Sequence, residues 1–273
     1  MATPQIKDLA EYKMNKHMKI LAITAHPDDS EFQCAGTLII LKKLGHKIAI
    51  MTINNGSCGS ADKGPREIKA IRAKEAGKAA KLIGADYFCA GINDLESVFD
   101  NKTRHKICEI VRAFGPNIIL AHYPGDYMSD HEIASRLARD ATFTATLPNY
   151  SNGVRSSAPI LKDIPHLYYM LPTEGRDHFG SDITPDFVVN ISGVIDKKTE
   201  MLACHASQRE WLRAEHGMDE YIEFMQHDSA RVGKISGFKY GEGFIQHLGH
   251  AYPRENILAK ILPSKPVGRK RNK

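Results

Sequence analysis

With 273 residues, 42% of them hydrophobic, the chain has enough apolar side chains for a full-sized core, and no run approaches the roughly 20 apolar residues of a spanning helix. Five of its positive charges (Lys265, Arg269, Lys270, Arg271 and Lys273) fall in the last ten residues, so a formal charge of +5 leaves a neutral body. A neutral body with a basic tail is weak evidence for nucleic-acid binding, which needs a clustered basic face, and 264–273 reads as a basic, flexible C-terminal tail after one domain over 1–263.

The opening MATPQIKDLAEYKMNKH is too polar for a signal-peptide core, so the cytoplasm is the expected location. Apolar runs then alternate with helix-period segments: MKILAIT (18–24) before Glu31 to Leu44, KIAIMTI (47–53) before Pro65 to Ile83, ADYFCAGI (85–92) before Lys102 to Phe114, and NIILAHY (117–123) before Ser129 to Thr146. Gly45, Gly84 and Gly115 stand just past three of the helical runs, where C-terminal caps belong. Strand and helix in alternation predict an α/β fold, a Rossmann-like three-layer sandwich with a mostly parallel sheet, right-handed crossovers and helices on both faces.

A Pro-, Asn-, Ser- and Gly-rich connection from Leu147 to Pro165 precedes two further predicted strands, HLYYMLP (166–172) and DFVVNIS (186–192), and helical patterns to about Arg213 and from Met218 to Val232. The connection 147–165 and the loop Thr173 to Pro185 are the expected places for substrate selection. The five cysteines (Cys34, Cys58, Cys89, Cys108, Cys204) stand singly without CxxC spacing, and an odd count argues against a disulfide framework.

Nucleotide motifs fail: His-Pro-Asp-Asp stands after the first strand in place of GxGxxG, and GSADKGPR (59–66) has Pro65 where a P-loop needs lysine. The segment at that strand's end is AHPDDSE (25–31), one imidazole and three carboxylates in seven positions. A second such cluster, AHYPGDYMSDHE (121–132), closes the fourth strand. Parallel strands bring their carboxyl ends to one edge, where ligands bind, so His122, Asp126, Asp130 and His131 are expected to face His26 and Asp29. Two imidazoles and a carboxylate with an open position suit a catalytic zinc ion, whose bound water has a pKa near 7, and Asp28 stands ready to take the proton. Singly, His26 reads as a strand-end residue and Asp28 or Asp29 as a helix N-cap; no capping role explains His26, Asp29 and His131 together. Asp130 either ligates or orients its neighbour.

These motifs resemble the LmbE-like, or PIG-L, zinc-dependent N-deacetylases, whose signature is AHPDD with an acidic residue at the seventh position. RAKEAGKAAKLIGA (72–85), the His-x-Ser-Gln at 205–208 and YGEGF (240–244) extend the resemblance over nearly the whole chain. It implies zinc or another divalent ion on His26, Asp29 and His131, a general base at Asp28, Arg72 near the substrate or oxyanion, and His205 and Gln208 at the site's edge. It also implies removal of an acetyl group from an N-acetylated amino sugar such as an N-acetylglucosamine conjugate. The expected partner is that small molecule, with a second copy of the chain as a further candidate and neither nucleic acid nor a membrane span. Family members commonly carry His-Pro-Asp-His at the third ligand, whereas this chain has Met128, Ser129, Asp130 and His131. A thioether donates no proton, so Asp28 itself, or Tyr127, His122 or His205, is expected to serve instead. The alternatives are an amidase acting on another secondary amide or a thiol conjugate, and a metal- or ligand-binding protein without turnover.

Overall fold

The computed structural model describes residues 17–150, 158–209 and 220–268. Strands β1 (Lys19–Thr24) and β2 (Lys47–Asn54) are buried at every position but the first. Strands covered on both faces cannot alternate apolar with polar, which is why both read as unbroken apolar runs. Between them lie α1 (Asp29–Gln33) and α2 (Ala35–Lys43), where the apolar period predicts one helix. The break at Cys34 frees amide groups for a new helix N-terminus, and buried Glu242 accepts from two of them, Gly36 N at 2.9 Å and Thr37 N at 2.7 Å. Residue 36 has to be glycine for this approach: a Cβ there would meet Ile191 Cγ2 at 2.7 Å.

Helix α3 (Pro65–Leu82) leads to β3 (Asp86–Ile92), and α4 (Asn101–Phe114) starts where Asp100 accepts from Thr103 N at 2.8 Å. Then come β4 (Ile118–Ala121), α5 (Ser129–Thr144), β5 (His166–Met170) and β6 (Phe187–Asn190). The remaining α-helices and strands among the described residues are α6 (Ile195–Leu202), α7 (Glu220–Ile235), β7 (Gly241–Gln246), α8 (Ile257–Ile261) and β8 (Ser264–Pro266).

The sheet order is β3-β2-β1-β4-β5-β7-β6-β8, parallel from β3 to β5 and antiparallel beyond. Alternate residues of β1 feed two cores. Ile20 and Ala22 pack with α2, α3, α6 and α7, and Leu21 and Ile23 with α4 and α5, which makes the expected three layers. Strand order reverses between β1 and β4, and such a switch point leaves a crevice outside the strands' carboxyl ends.

Three expectations change. β7, with two glycines in six residues, lacks the composition of a strand yet is buried throughout and separates β5 from β6. Ser264–Pro266, expected in the tail, pair with β6, so the sheet continues past residue 263, while 269–273 lie outside the described residues. The connection 147–165 runs from the end of α5 to the start of β5, the sheet edge away from the crevice. There Arg112 donates to the carbonyls of Ala145, Leu147 and Tyr150, and His166 N to Asn117 O. A loop returning from a helix to a parallel strand belongs at that edge, so the described parts of 147–165 stand far from the crevice; 151–157 lie outside the described residues.

Candidate metal and catalytic site

The β1–α1 turn and the segment after β4 meet at the switch point. His26, Asp29 and His131 bring one potential ligand atom each to within 4.8 Å of one another. The imidazoles are tethered alike. His26 Nε2 donates to Asp130 Oδ2 at 3.0 Å and turns Nδ1 toward Asp29 Oδ2, 3.7 Å away. His131 Nδ1 donates to Asp126 Oδ1 at 2.9 Å and turns Nε2 toward Asp29 Oδ1 at 3.5 Å. A carboxylate on the far nitrogen fixes tautomer and orientation, the arrangement histidine ligands have around metals. Asp130 is thus an orienting residue, itself held by Leu95 N at 2.8 Å.

Charge balance points the same way. Burial alone would lower both rings, but hydrogen bonds to Asp130 and Asp29 raise His26 to about 9, and Asp29 with Asp126 raises His131 to about 10. Burial pushes the Asp29 carboxyl up, yet His131 and His122 outweigh it and hold the group well below the usual carboxylate range. A buried cluster with this surplus of carboxylate and two imidazoles fits a divalent cation by donor type and by orientation.

His122 is fully buried and stacked on His131, centroids 4.1 Å apart, with Nε2 3.1 Å from Asp29 Oδ2 and 3.0 Å from Ala25 N; burial, then the neighbouring His131, lowers its pKa. It buttresses Asp29. A second grouping of His122, Asp126 and His131 also has metal-ligand spacing, but it shares His131 with the first.

Asp28 has φ 111°, a left-handed backbone that costs a non-glycine residue energy and is retained typically at functional sites. Its Oδ2 accepts from Tyr221 Oη at 2.7 Å and pairs with Arg72 Nη2 at 3.1 Å, the same guanidinium donating to Pro27 O. Burial raises the Asp28 carboxyl despite the opposing pull of Arg72, the direction that suits a base working near neutrality. Arg72 is buried against Gly56, where φ is +80° and a Cβ would meet Arg72 Cδ at 2.5 Å.

His26, Asp28, Asp29, Arg72, His131 and Tyr221 line a cavity of about 460 Å³ together with Phe32, Asp94, Leu95, Tyr127, Met128, Gln208 and Phe224. Gln208 Nε2 donates to Gly59 O at 2.8 Å and pins the β2–α3 loop. His205 is fully buried 3.6 Å from Glu31 and is not among the lining residues; burial lowers and Glu31 raises its pKa, the latter prevailing. Of the four groups expected to serve in place of the missing histidine, Asp28 and Tyr127 line the cavity and His122 and His205 do not; the Tyr127 ring stands edge-on to His131 at 5.4 Å.

Tyr221 and Asp94 are among the site residues absent from the sequence-based expectations. Tyr221 lies on a helix remote in sequence, with no local signal. Asp94, which accepts from Gly56 N at 2.8 Å and Cys58 N at 2.9 Å, comes just after β3, and the strand-end rule that found His26 and His131 applies to it equally.

Residues 21–142 match a family model described as PIG-L: GlcNAc-PI de-N-acetylase. The chain is similar to a 4-oxalmesaconate hydratase of Pseudomonas putida KT2440, 26% identical over 208 residues that cover 73% of this chain and 78% of that protein. It is also similar to a probable N-acetyl-alpha-D-glucosaminyl L-malate deacetylase 2 of Bacillus anthracis, 25% identical over 234 residues covering 79% and 95%. Among solved structures, N,N'-diacetylchitobiose deacetylase from Pyrococcus horikoshii superposes with a TM-score of 0.74 at 22% identity, over 94% of this chain and 99% of that one, a likeness of fold.

Proposed function

From the match of residues 21–142 to the PIG-L family model, we propose that this chain is a metal-dependent hydrolase that removes the acetyl group from an N-acetylated amino sugar or sugar conjugate. The observation that carries the reading is the paired tethering of His26 by Asp130 and His131 by Asp126, which leaves one nitrogen of each ring facing Asp29. His26, Asp29 and His131 would hold the ion, with zinc the first candidate on donor type. When bound, a divalent cation supplies Lewis acidity that polarises the acyl carbonyl and acidifies water.

The chain's own groups do the rest. Arg72 and Tyr221 both engage Asp28 Oδ2, which orients Oδ1 to accept the proton of the attacking water. Asp28 then carries that proton to the departing amine, since Met128 has none to give. Asp126, Asp130 and His122 keep the ligand set oriented, and Gln208 and Asp94 hold the loop that packs Arg72 into the wall.

The test loads the purified protein with zinc, manganese or cobalt, measures metal per chain, and assays acetate release from N-acetylglucosamine, its oligomers and its glycosides. About one metal per chain with acetate release is expected. A fully loaded protein that releases no acetate from this panel contradicts the proposal.

A second reading has its own support. A relative is named as a hydratase, and hydration of a carbon–carbon double bond needs no proton donor to a leaving amine, which suits Met128. Loss of ultraviolet absorbance from unsaturated dicarboxylates, without acetate release from amides, would favour it.

A further inference from the structure

Around a floor of charged groups the cavity presents two apolar surfaces. One is aromatic: Phe32 on α1 lies 6.4 Å from Tyr221 and 5.5 Å from Phe224, both on α7. The other comes from the segments after β3 and β4 and consists of Leu95, Tyr127 and Met128. Leu95 is 68% exposed, Tyr127 62% and Phe224 38%, so these side chains meet solvent where a polar sugar alone would find little to bond. Leu95 also stands at φ 63°, a conformation that disfavours leucine and that the hydrogen bond from its amide to Asp130 maintains. The bond that orients His26 through Asp130 therefore also presents an apolar side chain at the cavity.

On the basis of the hydrolase reading, we propose that the physiological substrate carries an alkyl or aryl group of about four or more carbons next to the scissile amide, seated between Leu95, Tyr127 and Met128 and the Phe32–Phe224 aromatics. Both a longer acyl chain and an apolar aglycone have this chemistry.

Binding is measured first, on a probe without an amide. Hexyl β-glucoside, below its micellar concentration, is compared with methyl β-glucoside by calorimetry or ligand-observed NMR. A methylene fully removed from water is worth about fourfold in affinity, so the hexyl compound should bind at least about tenfold more tightly. Leu95→Asn, whose side chain tolerates the left-handed backbone, and Phe224→Ser should each abolish most of that preference. Phe179→Ser, at a site 83% exposed and outside this cavity, should leave it intact. Equal affinity for the two glucosides, or a hexyl preference that survives both cavity substitutions, overturns the proposal. This measurement needs no turnover, so its outcome is independent of whether acetate is released. Turnover of N-hexanoylglucosamine against the hexyl glycoside of N-acetylglucosamine then assigns the group to the acyl or the aglycone side, and a rate for both no better than for N-acetylglucosamine counts against the proposal.

Discussion

Tyr221 donates its phenolic hydrogen to Asp28 Oδ2 at 2.7 Å, tying helix α7 to the turn after the first strand. The bond shares its acceptor atom with Arg72, so Asp28 is held from two sides. Tyr221 is a positioning residue: it acts on the reaction through the carboxylate it orients. Tyr221→Phe removes one hydrogen bond to a charged acceptor, and should lower kcat roughly 10- to 100-fold. Bound metal should be unchanged and KM nearly so. A rise in KM or a loss of metal with kcat preserved would assign the tyrosine to substrate binding or to the fold instead.

Asp28→Asn keeps shape and removes basicity. General acid–base assistance contributes roughly 10²- to 10⁴-fold, so turnover should drop by that order while the metal stoichiometry stays at the unmodified value. Retention of turnover in this variant would assign the base elsewhere.

The convergence of His26, Asp29 and His131 is legible because these residues cluster in sequence at two strand ends, AHPDDSE and AHYPGDYMSDHE, and parallel strands must bring such ends together. Which nitrogen of each ring would face a metal was not legible, since that depends on Asp130 reaching across to His26, 104 residues away. Arg72 could be placed near the site only by resemblance; its amphipathic helix gives no sign that it is buried beside Asp28. β7 escaped notice because Gly241 and Gly243 dilute the strand pattern, although burial of Glu242 against Lys198 and α2 depends on that strand. Composition marks 147–165 as a loop without saying which sheet edge its described ends, 147–150 and 158–165, occupy.

Asp126→Asn and Asp130→Asn test the tethers. Each leaves the proposed ligands in place and weakens the hydrogen bond that orients one imidazole, so metal affinity should fall about 10- to 100-fold. Competition against a chromogenic chelator measures it. Affinities within about twofold of the unmodified protein for both variants would contradict the assigned tethering role.

His46 is a pH probe remote from the site. It is buried, and its Nδ1 accepts from Met18 N at 3.2 Å. Burial first, then the neighbouring His17, lower its pKa below 6.5. The fold therefore favours the neutral ring, and this contribution is present above the unfolded value near 6.5 and lost as pH falls through the folded one. His46→Asn keeps an acceptor for Met18 without titrating, so the decline of unfolding free energy from pH 7 to 5 should be shallower in the variant. Equal slopes would show that His46 is not coupled to folding.

Lys198 and Glu242 form an ion pair at 2.7 Å with both side chains almost wholly buried. The partners are not equivalent: the carboxylate also accepts from Gly36 N and Thr37 N at the start of α2, whereas the charge of the ammonium is met by Glu242. Glu242→Gln strands a buried cation and weakens the helix start, and should cost about 3–5 kcal/mol in urea unfolding. Lys198→Met leaves the carboxylate with two amide donors at a helix N-terminus and should cost less. The double variant replaces the pair with a neutral amide and an apolar chain and should recover part of the Glu242→Gln loss, because the stranded ammonium is gone. Additive losses in the double variant would mean that the two side chains stabilise the protein independently and that the α2 amides, not Lys198, are what Glu242 serves.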